Sequence, residues 1–321
     1  MQPARSTYLK GASCGLVAAS IWAGWSALTR LAVTTGLDAW DVAALRFGIA
    51  GVLLAPVVAR HGLARDRLGW SGLGVLIAGV GAPYVLVAAS GLRFAPARDQ
   101  GALNPGAMPL FVALLAAWLL GERFTAARAA GLGLILTGAL AMVGWHASTA
   151  SAMRALGDAL FLVASFLTAC FTVVVRRAQL MPLHATALVS TGSLILYLPV
   201  YLACHGIGIA RAPFADVAMQ AAFQGVLVTI VSLVLYGRAI ALLGASGAAA
   251  FGALVPALSA LLAIPLLGEW PDAGDWLGIA LISAGVYLAS GAPLASRNLT
   301  PPARSRAERS GPCRRGGRPC P

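Results

Sequence analysis

Ten stretches of about twenty mainly apolar residues follow one another along the chain, near 11–30, 40–59, 68–91, 100–120, 126–145, 158–175, 185–203, 217–237, 245–267 and 274–292. Each has the length at which an α-helix, rising about 1.5 Å per residue, crosses a hydrocarbon layer of about 30 Å. Inside that layer no water satisfies backbone N–H and C=O groups, so the stretches must be helical rather than irregular. Charged residues make up 11% of the chain and hydrophobic ones 59%, whereas a soluble domain carries about 25% charged residues. No single soluble core accommodates ten such runs. The expected fold is an all-α integral membrane protein with ten transmembrane helices. The first run follows a short basic start (Arg5, Lys10) but exceeds the usual apolar core of a secretory signal, and reads as an uncleaved span.

The runs are not independent. Pro109 to Phe124 reads PLFVALLAAWLLGERF and Pro256 to Pro271 reads PALSALLAIPLLGEWP, identical at nine of sixteen positions and 147 residues apart. The same offset carries Gly131 onto Gly278, Gly138 onto Gly285 and Arg30 onto Arg177. The chain therefore divides into a short N-terminal segment (1–10), a first five-span repeat (11–145), a linker (146–157), a second five-span repeat (158–292) and a tail (293–321). Five is odd, so the second copy enters the bilayer from the opposite side and the repeats are inverted. Inverted repeats give two equivalent packings that face opposite sides, the geometry of alternating access in transporters.

Charge fixes the expected orientation. With ten spans, 17 of the 23 Lys and Arg residues fall on the side of the termini, five on the other side, and Arg46 lies inside a span. The positive-inside rule then puts both termini in the cytoplasm. The net charge of +12 is concentrated in part at 293–321, where seven arginines stand among Pro, Gly and Ser. Such a segment buries no core and is expected to be disordered beside anionic lipid headgroups; nothing in it calls for nucleic acid. Membrane lipids are thus expected partners, and a homodimer is compatible with the sequence.

LRF at 45–47 early in the second span, GLRFAPA at 91–97 leading into a span with Pro109, and LLGE closing spans four and nine, set in a 5+5 arrangement over about 10–292, resemble the EamA type of the drug/metabolite transporter superfamily. The resemblance implies a permease of the bacterial inner membrane. Its members are often exporters of amino acids, metabolites or drugs, with a central cavity between the halves. Arg98 to Pro109 is two residues longer than Gly247 to Pro256, so the two copies depart from each other at the start of span four.

Several polar residues fall at membrane depth. Arg46, about six residues into span two, costs about 2.5–3.5 kcal/mol near a helix centre unless it faces protein or water; Asp99 at the start of span four is a candidate ion-pair partner, the alternative being that Arg46 reaches the outer headgroups while Asp99 is solvated beside Arg98. Trp22 and Trp25 lie mid-span, where tryptophans of the interfacial belts do not, and with Tyr84, Asn104, Thr168, Gln220 and Gln224 they are candidates to line a substrate path; the alternative is that the tryptophans simply pack between helices and that each polar group bonds one helix to another. Trp40, Trp70, Trp118, Trp145, Trp270 and Trp276 read as belt residues, and the four histidines as interfacial. Pro109 and Pro256 are candidate hinges. Glu122 and Glu269 fall on opposite sides, where they either favour the positive start of the following helix or make gating contacts.

There is no GxxxxGK[ST] phosphate loop, HExxH or GxSxG elbow, and the five cysteines show no ligand spacing, so no catalysis, metal or cofactor is expected. The reading is a secondary transporter, expected to export a small organic metabolite, amino acid or drug. The competing reading is a non-transporting scaffold or lipid-interacting accessory protein, in which the interior would be packed rather than hollow.

Overall fold

The computed structural model describes residues 5–122, 124–149, 152–206 and 208–290. The basic tail, with Cys313 and Cys320, and residues 150–151 of the linker lie outside this set. The described residues form twelve α-helices: α1 (Arg5–Thr35), α2 (Ala39–His61), α3 (Arg65–Val80), α4 (Ala82–Phe94), α5 (Ala97–Leu120), α6 (Ala126–Thr149), α7 (Ala152–Arg177), α8 (Pro182–Cys204), α9 (Phe214–Gln220), α10 (Ser232–Gly252), α11 (Val255–Leu267) and α12 (Ala273–Ala289). A π-helix, Ala221–Val231, joins α9 to α10. Helices α3 and α4 form one crossing, Arg65–Phe94. Gly244, at φ 80°, divides α10 between two crossings, Phe214–Gly244 and Gly247–Leu267. Among the described residues nine segments are long and apolar enough to cross a membrane, and α12 is a tenth, shorter apolar helix.

Local sequence explains where the crossings start and stop. Asp38 accepts from the amides of Trp40 and Asp41 while Asp41 accepts from that of Asp38, and Asp272 with Asp275 repeats this reciprocal cap on α12. The LLGE segments end α5 and α11 in the same way. Gly121 and Gly268 take left-handed φ values of 65° and 67°, and the amides of Glu122 and Glu269 reach back to Ala116 and Ala263. This is the glycine-terminated cap that closes many helices, so the repeated glycine is a conformational requirement.

The face on which α1 begins and α12 ends is here the terminal face; the other is the distal face. Helix α6 runs antiparallel to α12, with Gly131 against Gly285 and Ala289 near the terminal face and Trp145 against Gly274 near the distal one. The packing is two-fold: Gly131 meets Gly285 and Gly138 meets Gly278, and the 147-residue offset converts one contact into the other. The first helix of each half crosses to the other half, α1 packing on α11 and α7 on α5. The two copies are thus interlocked rather than set side by side.

Close approach sets the residue type along this seam. A Cβ on Gly285 would lie 2.6 Å from the Gly131 carbonyl oxygen and 2.8 Å from the Ile135 amide, both backbone atoms that cannot yield cheaply. Gly285→Ala is therefore expected to destabilise by about 1–3 kcal/mol, the usual cost of overpacking. Gly133→Ala, with nothing within 4 Å of its Cβ, should not destabilise. Melting of the two variants in detergent checks this; equal melting temperatures would contradict the seam.

Candidate functional site

A cavity of about 520 Å³ lies between the two halves. It extends from mid-depth toward the terminal face, where Ala249, Ala289 and Ser290 reach its wall. Of the residues expected to line a path, Trp22, Trp25, Arg46, Tyr84, Asn104 and Thr168 all stand on this wall, with Pro109. Gln220 and Gln224 do not. Gln224 is buried behind Trp25, accepting its indole N–H at 2.8 Å and donating to Thr29 (2.9 Å) and Gln220 (3.2 Å), while Gln220 donates to the Leu28 carbonyl (2.8 Å). Their amides bind helices together and fix the Trp25 ring.

The wall is aromatic with a few polar groups. Trp22 donates to Ser232 at 3.0 Å and its ring lies 4.9 Å from that of Tyr236; the Trp25 ring lies 6.2 Å from that of Tyr84. Tyr84 accepts from Asn104 at 2.9 Å. The Thr168 hydroxyl is turned to its own helix, donating to the Ala164 carbonyl at 3.0 Å. Gln100, Ser190 and Tyr236 also line the cavity and were missed, because Gln100 follows two charged residues at a span start, Ser190 is one of several hydroxyl residues with Thr186, Thr191 and Ser193, and Tyr236 ends an apolar run. The π-helix places Val228 and Thr229 on the wall, with Thr229 donating five residues back to Gln224 at 2.8 Å; helical distortions of this kind are common at functional sites, and nothing in the residue pattern announced it.

Above the cavity, on the distal side, lies a buried charge network. Asp275 accepts from Arg98 Nε at 2.7 Å and from Arg154 at 3.1 Å, while Arg154 grips Asp99 through two bonds of 2.9 and 3.1 Å. The carboxylates of Asp99 and Asp275 have no exposure at all. This corrects the candidate ion pair of Arg46 with Asp99, and equally its alternative, since Asp99 is buried on Arg154 rather than solvated at the rim. Arg154, expected in the linker, belongs to the first turn of α7 and reaches Asp99, whereas Arg46 points into the cavity. The network draws on α5, α7 and α12, and so on both halves. Segment 239–268, which includes the counterpart of the α5 start, contains no ionisable residue. At the position that the two-fold relates to it the network therefore has no counterpart.

The repeated glutamates form cross-half clasps at opposite mouths. On the distal face Glu269 pairs with Arg30 and accepts from the Ala97 amide at 2.8 Å; Arg30 also donates to the carbonyls of Leu92 and Ala95. On the terminal face Glu122 pairs with Arg176 at 2.6 Å and lies 3.6 Å from Arg128. Each clasp joins the end of one half's first helix to the end of the other half's fourth. The partner is Arg176, one residue short of the exact repeat position Arg177. Among the described residues neither glutamate accepts a hydrogen bond from the helix that follows it. Thr125 and Asp272 do so instead, and Glu269 bonds the first turn of α5 in the other half.

The candidate hinges differ from each other. Pro109 lies within continuous α5, whereas Pro256 stands in the first turn of α11 after a turn at Ala253 and Leu254. The second copy is broken where the first is not, close to the difference in spacing seen between the copies. Histidines are peripheral: the His61 and His184 rings lie 5.4 Å apart at the terminal face, and His205 lies 2.9 Å from Asp38 at the distal one; the His146 side chain lies outside the described residues. Asp38, Asp41 and His205 converge, but the two carboxylates cap α2 and Asp41 also accepts from Tyr201 at 2.6 Å. That arrangement is accounted for by the caps.

Comparisons with known proteins agree with this architecture. The EamA-like transporter family matches residues 9–144 and again 155–291. A curated relative, a probable terminal-alkyne amino-acid exporter of Streptantibioticus cattleyicolor, is 31% identical over 263 residues, covering 80% of this chain and 86% of its own. A solved crystal structure with 21% sequence identity superposes with a TM-score of 0.54, over 92% of this chain and 99% of the other, and shares the fold. The chain is a multi-pass membrane protein that belongs to the EamA-like transporter family.

Proposed function

We propose that the protein is a secondary transporter of the bacterial inner membrane, with its terminal face in the cytoplasm, that exports a small organic metabolite, amino acid or drug by alternating access. The observation that carries this reading is the placement of one clasp at each mouth with the cavity between them. Rocking of the two interlocked inverted halves against each other would open one mouth as it closes the other. Both clasps are made here, and the cavity extends toward the terminal face with the buried network beyond it on the distal side, so the state we propose is shut at the distal face and accessible from the cytoplasm. A packed scaffold has no use for a hollow of about 520 Å³ walled by indoles, phenols and a guanidinium. The relative's amino-acid export supports the direction, and the arginine distribution supports the cytoplasmic placement of the terminal face. No P-loop is present, so the substrate gradient or an ion gradient is the proposed drive.

Expression in a host sensitive to toxic amino-acid analogues and cationic drugs is expected to protect it against at least one of them. Increased sensitivity across the panel would contradict export.

A further inference from the structure

Arg46 is the one charged residue on the wall of the cavity among the described residues, and no carboxylate lines it. Its Nε is buried without a hydrogen-bond partner, and its guanidinium carbon lies 5.6 Å from the Phe47 ring. The other arginines near the halves' interface have carboxylates: Arg30 has Glu269, Arg98 has Asp275, Arg154 has Asp99 and Arg176 has Glu122. A buried guanidinium left without an anion calls for one, and the fork of N–H donors matches a carboxylate in two parallel bonds.

The adjoining groups continue the pattern. Tyr84 lies beside Arg46 and is bonded by the Asn104 nitrogen, which leaves the Asn104 carbonyl oxygen as an acceptor on the wall. An ammonium suits that oxygen, with the faces of Trp25 and Tyr84 beside it. The rest of the wall, with Trp22, Phe171, Val189 and Tyr236, is apolar. We infer that Arg46, Tyr84 and Asn104 form a head-group site for an α-amino acid with an apolar side chain, the carboxylate on Arg46 and the ammonium on Asn104. Cationic compounds without a carboxylate meet an uncompensated guanidinium here and are disfavoured. The inference deepens the transport reading and rests on it for the cavity's role.

The test is binding of labelled L-phenylalanine to the purified full-length protein, with phenethylamine, L-phenylalanine methyl ester and 3-phenylpropionate as competitors. Wild type should bind phenylalanine and 3-phenylpropionate, and the amine and ester about tenfold more weakly or worse. Arg46→Gln should weaken phenylalanine and 3-phenylpropionate about 30-fold or more, the scale of removing one partner of a buried charge pair, while Arg46→Lys retains part of the affinity. Asn104→Leu should weaken phenylalanine and leave 3-phenylpropionate unchanged. Elution of each variant as a monodisperse species shows that it is folded, and Gly133→Ala serves as an unperturbed control. Equal affinity for phenylalanine and phenethylamine in wild type, no effect of Arg46→Gln, or no binding by any of the four compounds overturns the site. Uptake into proteoliposomes separates the two readings. Phenethylamine carried as well as phenylalanine keeps transport and overturns the head-group site. Phenylalanine that binds through Arg46 but is never carried keeps the site and overturns transport.

Discussion

Asp275→Asn is expected to cost about 3–5 kcal/mol and to abolish net transport. Asp275 is fully buried between Arg98 and Arg154, and removing one partner of a buried ion pair leaves an uncompensated charge of that cost. Asparagine keeps an oxygen for the bond from the Asp272 amide, present at 3.0 Å. The loss therefore falls on the charge rather than on the helix cap, whose removal alone costs about 0.5–2 kcal/mol. After the change Asp99 faces both Arg98 and Arg154, with Asp158 the other carboxylate near Arg154. In the proposed cycle the network closes the distal mouth by joining α5, α7 and α12, and that mouth is then expected to stay open. Thermal unfolding in detergent checks the cost, with a fall on the order of 10 °C. An unchanged melting temperature would place the network outside the stable core.

The two clasps are expected to respond unequally to the same chemistry. Glu269→Gln removes the charge facing Arg30 and weakens a bond to the Ala97 amide, at a site where the side chains are 21% and 12% exposed. Hydrogen bonds to charged groups in such a setting contribute about 1.5–3 kcal/mol. Glu122→Gln acts where Arg176 and Glu122 are 46% and 27% exposed, and surface pairs contribute about 0–1 kcal/mol. Both variants should lower the transport rate of whichever compound expression protects against, Glu269→Gln by about tenfold or more and Glu122→Gln by a few-fold. Charge reversal of both partners, Arg30→Glu with Glu269→Arg, should recover part of the rate lost in either single variant. Recovery stays partial because arginine offers the Ala97 amide no acceptor. No recovery at all would show that the pair acts as a spacer rather than a clasp.

The ten crossings were legible because span length is dictated by the bilayer and not by side-chain detail. The inversion was legible because an odd number of spans per copy leaves no alternative. The glycines that set the 147-residue register, Gly131, Gly138, Gly278 and Gly285, are the residues in contact at the seam, a contact that the register alone did not state. Depth along a span could also be read, and it placed Arg46 and the mid-span tryptophans at the level of the cavity. The direction a side chain takes around its helix could not. That is why Asp99 was matched with Arg46 on depth alone, while Arg154, counted as a linker residue, was its true partner. Asp275 was hidden for another reason: three residues after Asp272 it reads as half of a capping pair, and the second oxygen's role is set by helices far away in sequence. In LLGE the glycine answers to local backbone geometry, whereas the glutamate answers to an arginine of the other half, which only the interlocked packing reveals.

The central claim is a cavity open to one face and closed at the other by the distal network. Thiol labelling of Thr168→Cys, in a chain whose five native cysteines are replaced, tests it most directly, because Thr168 lines the cavity and its hydroxyl bonds only its own helix. In oriented membrane vesicles a membrane-impermeant maleimide should label this cysteine from the cytoplasmic side and poorly from the other. Adding Asp275→Asn should raise labelling from the other side. Equal labelling from both sides in the parent, or no response to Asp275→Asn, would contradict the account.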